Sequence, residues 1–251
     1  MPLRLSQLFE AHTGQPPYRV ERLKSEASDR RPYRLTTRDG RRIVGVVGPD
    51  AGENRAFLSF TRTFAELGLP VPSLLAESDD GQSYLLEDLG DQTLNAVLQD
   101  ARRATGEAWP ASVRPAFRRA MALLPRFQVE GGRHIDFEAA YPRADQDRRA
   151  FRWDLNYFKY HFLKLAHAPF QEDRLEDDFE TLLDRLPAGG ERYFLYRDFQ
   201  PRNVMWKDDA PRYLDYQGGR RGPLAYDVAS ILYSGSAGLT ADAREDLLEA
   251  Y

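Results

Sequence analysis

Tyr196-Arg197-Asp198-Phe199-Gln200-Pro201-Arg202-Asn203, followed by Asp215-Tyr216-Gln217-Gly218-Gly219 and then by Asp227, is the stretch that decides how this chain is read. It begins after a short apolar strand, Tyr193-Phe194-Leu195. An aspartate with an asparagine five residues later pairs a proton acceptor with a neutral oxygen ligand, the catalytic-loop spacing of phosphoryl transfer. In that pattern Asp198 accepts the proton of an attacking hydroxyl, and the Asn203 amide oxygen holds a magnesium ion. A second carboxylate is needed at the end of the next strand. Mg²⁺ is a hard octahedral cation that takes few protein carboxylates and fills its sphere with water and phosphate oxygens. Asp215 falls in that position, across a hairpin whose turn contains Lys207-Asp208-Asp209.

Alone, an Asp-x4-Asn pair carries little weight, and Asn203 would suit an ordinary turn. The ordered set is what carries the reading: a strand, Arg-Asp-x4-Asn, a hairpin, Asp215, and Asp227 before an apolar helix. Working outward, the upstream sequence supplies the rest of such an enzyme. Tyr18 to Leu23, Tyr33 to Thr37 and the apolar run Ile43-Val44-Gly45-Val46-Val47 read as strands, with Asp39-Gly40 as a hairpin turn. Ala56, Phe57, Phe60, Phe64 and Leu67 then share one helical face, closed by Gly68. Ser73 to Ala76 and Tyr84 to Leu86 are two further strands. From Asp91 the pattern is mostly helical: Thr93 to Arg103, Val113 to Glu130, Phe151 to Ala166 and Glu172 to Leu186. Gly131-Gly132 reads as a break between helices. The expectation is an α+β chain of two lobes, a small antiparallel-sheet lobe over residues 1–88 and a helical lobe over residues 89–251.

Composition narrows the classes. The 251 residues carry 39 acids and 35 bases, a net charge of -4, which gives no electrostatic footprint for nucleic acid. Zero cysteines exclude disulfides, a cysteine nucleophile and thiolate metal sites within this sequence. No apolar run approaches the ~18 residues of a membrane span. The first residues, soon meeting Glu10 and His12, lack the apolar stretch of a signal peptide, so a cytoplasmic location is expected. The sequence stops at Tyr251 inside an amphipathic pattern (Ala243, Leu247, Leu248), which raises the expectation of a further C-terminal portion.

The blocks Leu195 to Trp206 and Leu214 to Leu232 resemble the aminoglycoside phosphotransferase and choline kinase superfamily. Within it they are most similar to the bacterial anomeric kinases of N-acetylmuramate and N-acetylglucosamine, which serve cell-wall sugar recycling. Ser28 to Leu35, Glu53 to Leu58 and Leu86 to Asp91 extend the resemblance over most of the chain. It implies a protein-kinase-like fold, ATP with Mg²⁺ between the lobes, and a small-molecule sugar as acceptor. By position it implies Asp198 as base, Asn203 and Asp215 as metal ligands, and backbone contacts to adenine at Glu87 and Leu89. Arg197 and Asp227 would support the catalytic loop, Asp227 by accepting backbone amides; an ordinary helix cap is the alternative. Asp154 would offer a hydroxyl contact to the sugar, against a plain place on a half-buried aromatic helix. The run Glu172 to Glu180 reads as a solvated helix face rather than a lure for polycations. Aminoglycosides, other alcohols, or catalytically silent nucleotide binding are the rival readings.

Three departures from the kinase pattern stand out. No glycine lies between Gly14 and Gly40, so Ser25 to Arg31 replaces a glycine-rich phosphate loop, with Ser28 the candidate hydroxyl donor. No lysine lies between Lys24 and Lys159, so the third strand has none, and residues 54–65 hold no acid to pair with one. Arg30 and Arg31 are the candidates to supply that charge to the phosphates. Finally, Tyr196 stands where histidine commonly precedes Arg-Asp, and Gln217 replaces the glycine of Asp-Phe-Gly.

Overall fold

The computed structural model describes residues 2–24, 29–187 and 193–251. Strands β1 (Arg19–Arg22), β2 (Arg31–Thr36), β3 (Arg42–Val47), β4 (Leu74–Glu77) and β5 (Ser83–Glu87) form one antiparallel sheet in the order β1-β2-β3-β5-β4. The two-residue repeat of a strand sorts its side chains onto two faces. Leu35, Ile43 and Leu85 meet Leu5 and Phe9 of helix α1 (Leu3–Thr13). Val46, Tyr84 and Leu86 face the other way and join Phe57, Phe60 and Phe64 of helix α2 (Ala51–Glu66). Gly45 is where α1 crosses the sheet: a Cβ there would sit 2.8 Å from Leu5 Cδ1.

Helix α1 adds to the elements expected from the sequence. Its docked apolar face is small, Leu5, Leu8 and Phe9, which the sheet makes sufficient. The turn at Gly40 (φ 87°) and the left-handed Gly68 (φ 65°) lie where the sequence puts them. Asp50 caps α2, accepting from the amides of Gly52 (2.8 Å) and Glu53 (3.1 Å), which fixes Glu53 in the helix's first turn.

The remainder is mostly helical. Helices α3 (Leu94–Thr105) and α4 (Arg114–Pro125) are followed by a π-helical turn (Arg126–Gly131) that leads into α5 (Gly132–His134). The break expected at Gly131-Gly132 is therefore not one. Gly131 is required for packing, since a Cβ there would lie 2.9 Å from Phe64 Cε1. Helix α6 (Arg148–Phe158) continues through a second wide turn (Lys159–Leu163) and packs on α7 (Glu172–Arg185). Its aromatic residues are more exposed than expected: Tyr157, Tyr160 and Phe162 all face outward. Then come β6 (Phe194–Leu195), the hairpin β7 (Val204–Lys207) and β8 (Ala210–Tyr213), β9 (Arg220–Arg221) paired with β6, and helices α8 (Leu224–Leu232) and α9 (Ala241–Ala250). Among the described residues, no helix is long and apolar enough to cross a membrane.

Candidate active site

The loop after β6 is shaped by one buried carboxylate. Asp227, in the first turn of α8, accepts from the amides of Tyr196 (2.9 Å) and Arg197 (2.8 Å) and from the Gln128 side chain (2.9 Å). Its oxygens thus serve the loop rather than capping α8, whose N-cap residue is Pro223. Burial pushes its carboxyl up to about 7, against the pull of these hydrogen bonds. Arg197 has φ 76°, a left-handed conformation that costs a non-glycine residue about 1 kcal/mol or more and turns the chain sharply ahead of Asp198. Tyr196 is fully buried among Phe127, Phe199 and Tyr216, and its hydroxyl donates to the Leu214 carbonyl. The residue expected to replace histidine thus ties the loop after β6 to the turn bearing Asp215.

Asn203 closes the loop from the other side. Its Nδ2 donates to the Asp198 carbonyl (2.8 Å) and to Asp215 Oδ2 (3.2 Å). Asp215, itself left-handed at φ 68°, also accepts at Oδ1 from Gln217 (3.0 Å) and from Arg30 (2.8 Å). Burial first, and then the Asp215 charge, raise the Asp198 carboxyl above its ordinary range, while Arg197 and Arg202 draw it back. A carboxylate raised in this way is a better proton acceptor than one free in water.

Two spaces adjoin the loop, and Asp198 lines the second of them. A cleft of about 550 Å³ runs beneath the sheet, walled by Val44, Val46, Leu86 and Met205 and ending at Asn203 and Asp215. A second cavity of about 420 Å³ is lined by Arg197, Asp198, Tyr226, Ser230, Tyr233 and Ser234. At the rim of the first, Leu89 is buried and lines the cleft. The Glu87 carboxylate is bound to Lys207 (2.8 Å) and Ser73 (3.2 Å), and its backbone amide donates to the Ser73 carbonyl (3.0 Å). Asp88, between them, holds Arg34 in a two-pronged ion pair.

The other expected residues divide. Arg30 reaches the cleft and Asp215; Arg31 stands exposed on β2, opposite Val47 and away from the cleft lining. Ser28 lies outside the described residues. Asp154 sits near the second cavity, but its oxygens already accept from Gln146 (2.8 Å) and Tyr226 (3.0 Å) and face Arg197 (3.5 Å). Behind it, Arg220 is fully buried, and its guanidinium is pushed down to about 10 by burial and then by Arg197.

One inference from the sequence is overturned. The acid thought to be missing from α2 is present one residue earlier: Glu53 Oε2 lies 3.9 Å from Arg30 Nε. The capping aspartate at position 50, with an acid three residues on, was the signal for it.

Asn203 and Asp215 are hard oxygen donors side by side, the chemistry of a magnesium site completed by water and phosphate. Among the described residues no group of three or more His, Cys, Asp or Glu could hold a metal ion.

Residues 19–251 match the APH phosphotransferase enzyme family. The chain is 28% identical over 219 residues to an N-acetylmuramate/N-acetylglucosamine kinase of Pseudomonas aeruginosa, covering 86% of this chain and 60% of the relative. It is also 28% identical over 214 residues to the kinase of the same name from Neisseria meningitidis, covering 83% and 59%. The chain thus spans about 60% of the length of these curated relatives. Among solved structures, the streptomycin–ATP ternary complex of APH(2″)-IIa superposes with TM-score 0.67 at 10% identity, covering 100% of this chain and 84% of that one. A choline kinase of Streptococcus pneumoniae gives 0.62 at 12% identity, covering 97% and 78%. The fold is therefore the α+β, protein-kinase-like one expected from the sequence.

Proposed function

Because the chain belongs to the phosphotransferase enzyme family, we propose that it transfers the γ-phosphoryl group of ATP to a sugar hydroxyl, the anomeric hydroxyl of N-acetylmuramate or N-acetylglucosamine. The observation that carries this reading is that Asp198 lines the cavity against α8 while Asn203, bonded to its backbone, and Asp215 line the separate cleft beneath the sheet. ATP takes the first, between two lobes that meet near residue 88, with adenine against the backbone of Glu87 and Leu89. The sugar takes the second. Its hydroxyl gives its proton to the Asp198 carboxylate as the oxygen–phosphorus bond forms, and the bond to the β-phosphate oxygen breaks to release ADP. Asn203 and Asp215 would hold Mg²⁺, which supplies charge neutralisation at the phosphates. Asp227, Tyr196 and Asp154 keep the loop in place during transfer.

The acceptor cavity supports an amino sugar over an aminoglycoside. Its lining has one carboxylate, Asp198 itself, beside the cation Arg197, a poor match for a polycation. Among the acids of α7, Glu172, Glu176 and Glu180 are already engaged by Lys159, Arg148 and Arg152. The relatives' names point the same way. ADP release from Mg·ATP should rise with N-acetylmuramate or N-acetylglucosamine and stay at background with kanamycin. Asp198→Asn should abolish that turnover, a loss of about 10³-fold or more, while nucleotide affinity stays within about twofold. Equal loss of both would remove Asp198 from the role of base.

A further inference from the structure

The side of β3 that faces the nucleotide cleft offers no charge. Val44 and Val46 occupy the inward positions, opposite Leu86 and Tyr84 of β5. Lys24 reaches the cleft rim but is exposed. Arg30 enters instead from just ahead of β2, and its side chain is only 14% exposed. The guanidinium lies 5.9 Å over the Phe57 ring and beside the buried Tyr84 phenol. It is held between two carboxylates that belong to different elements, Asp215 at 2.8 Å and Glu53 at 3.9 Å. Asp215 meanwhile has both oxygens taken, Oδ1 by Arg30 and Gln217 and Oδ2 by Asn203. A carboxylate so occupied is a poor ligand for a hard cation, which must displace donors to reach it.

We propose that Arg30 and Glu53 form the phosphate-anchoring ion pair of this enzyme, and that nucleotide phosphate exchanges with Asp215 for the Arg30 guanidinium, releasing the metal-binding carboxylate only when nucleotide arrives. The inference rests on the kinase reading above and adds two roles to it. A guanidinium can meet two phosphate oxygens with parallel hydrogen bonds, a better bargain than one carboxylate oxygen. Glu53 stays behind as the tether, pinned by the Asp50 cap at the start of α2. Arg30 thereby restores a cation and an acidic partner at the phosphates, which is why the cleft-facing side of β3 can be apolar.

Two binding measurements test this without turnover. Mn²⁺, followed by the loss of its free-ion electron paramagnetic resonance signal, reports on Asp215 in nucleotide-free protein. Calorimetry with a β,γ-imido ATP analogue and with adenosine reports on the phosphate contact. Arg30→Met should bind Mn²⁺ about tenfold tighter than the wild type in the absence of nucleotide. It should bind the triphosphate at least about tenfold more weakly, with adenosine affinity unchanged. Glu53→Gln should weaken triphosphate binding by a smaller factor, and the double variant should be no worse than Arg30→Met alone, since Glu53 acts through Arg30. Unchanged Mn²⁺ and triphosphate affinities in Arg30→Met would overturn the proposal, as would additive losses in the double variant. Adding Asp215→Asn to Arg30→Met separates the two readings. If the gained Mn²⁺ binding survives that change, Asp215 is not the metal ligand and the kinase reading itself is at fault.

Discussion

The ion pair beneath the proposed nucleotide site should carry a measurable share of the fold's stability. Arg34, on β2, is 7% exposed, and the Asp88 side chain that it meets is 4% exposed. Two parallel bonds join them, Nε to Oδ2 at 2.7 Å and Nη2 to Oδ1 at 3.0 Å, while Nη2 also reaches the Gly90 carbonyl at 3.1 Å. Removing one partner of a buried pair strands the other, at about 3–5 kcal/mol. For a chain of this size each kcal/mol is worth ~2–4 °C, so Arg34→Met should lower Tm by about 6–20 °C. Asp88→Leu alone should do comparable harm, because it leaves the guanidinium buried with only Asp91 and a carbonyl. The double variant should cost less than the sum of the two by about 1–3 kcal/mol. The pH dependence has a definite sign. Burial pushes the Asp88 carboxyl up, but the Arg34 hydrogen bonds, the Gly90 amide and the charges of Arg34 and Arg42 outweigh it and hold it below its usual value. The pair's contribution is therefore fully present above the unfolded carboxyl value of about 3.9, and it is lost as pH falls through the lower folded one. Scanning calorimetry from pH 7 down to pH 3 should show the wild type and Arg34→Met converging in Tm at the acid end. A penalty under about 1 kcal/mol at pH 7, or strict additivity in the double variant, would refute the reasoning.

Smaller perturbations probe the loop and the packing around it. Tyr196→Phe removes the donor to the Leu214 carbonyl and should cost about 1–3 kcal/mol by urea unfolding, together with a fall in kcat, because Leu214 precedes Asp215, the proposed metal ligand. Gly131→Ala sets helix propensity against sterics. Propensity alone would stabilise by up to ~1 kcal/mol, but the added Cβ lies 2.9 Å from Phe64, so a net loss of about 1–2 kcal/mol is expected in the same assay. Arg197→Met removes a cation that draws the Asp198 carboxyl down, so the acid limb of the kcat/KM profile should move to higher pH. An unmoved limb would mean that Arg197 does not act on Asp198 electrostatically.

What the sequence made legible, and what it hid, follows from the range of the interactions. Asp198, Asn203, Asp215 and Asp227 fall within one stretch whose spacing is fixed by two short strands and a hairpin, so their chemistry can be read from order alone. Asp227 is the clearest case: its place before an apolar helix suits either a cap or a loop support, and the amide bonds to Tyr196 and Arg197 favour the second. Contacts that bridge distant segments left no such trace. Arg34 and Asp88 are 54 positions apart, and in a chain with 29% charged residues each looks like a surface group. Glu53 falls outside positions 54–65, where the kinase pattern places the acid, because the geometry puts the partner of Arg30 in the first turn of α2. Helix α1 and the passage through Gly131-Gly132 were hidden for a different reason. Both depend on a partner surface, the sheet for α1 and Phe64 for Gly131, and local propensity overlooks the first and contradicts the second.

The same connections explain how one short loop can be both strained and well placed. Arg197 and Asp215, on either side of the proposed base Asp198 and ligand Asn203, both adopt left-handed backbone that neither would choose alone. Each is fixed from more than one direction. Arg197 is held at its amide by Asp227 and at its side chain by Asp154, which is itself gripped by Gln146 and Tyr226. Asp215 is held by Asn203, Gln217 and Arg30, and its neighbour Leu214 by Tyr196 and the Asn203 carbonyl. Of all these restraints, Arg30 is the one that comes from the segment leading into the sheet, and it has Glu53 in α2 as a second acidic partner. It is therefore the contact best suited to be given up when phosphate enters, because Asn203 and Gln217 still orient the carboxylate after Arg30 has left.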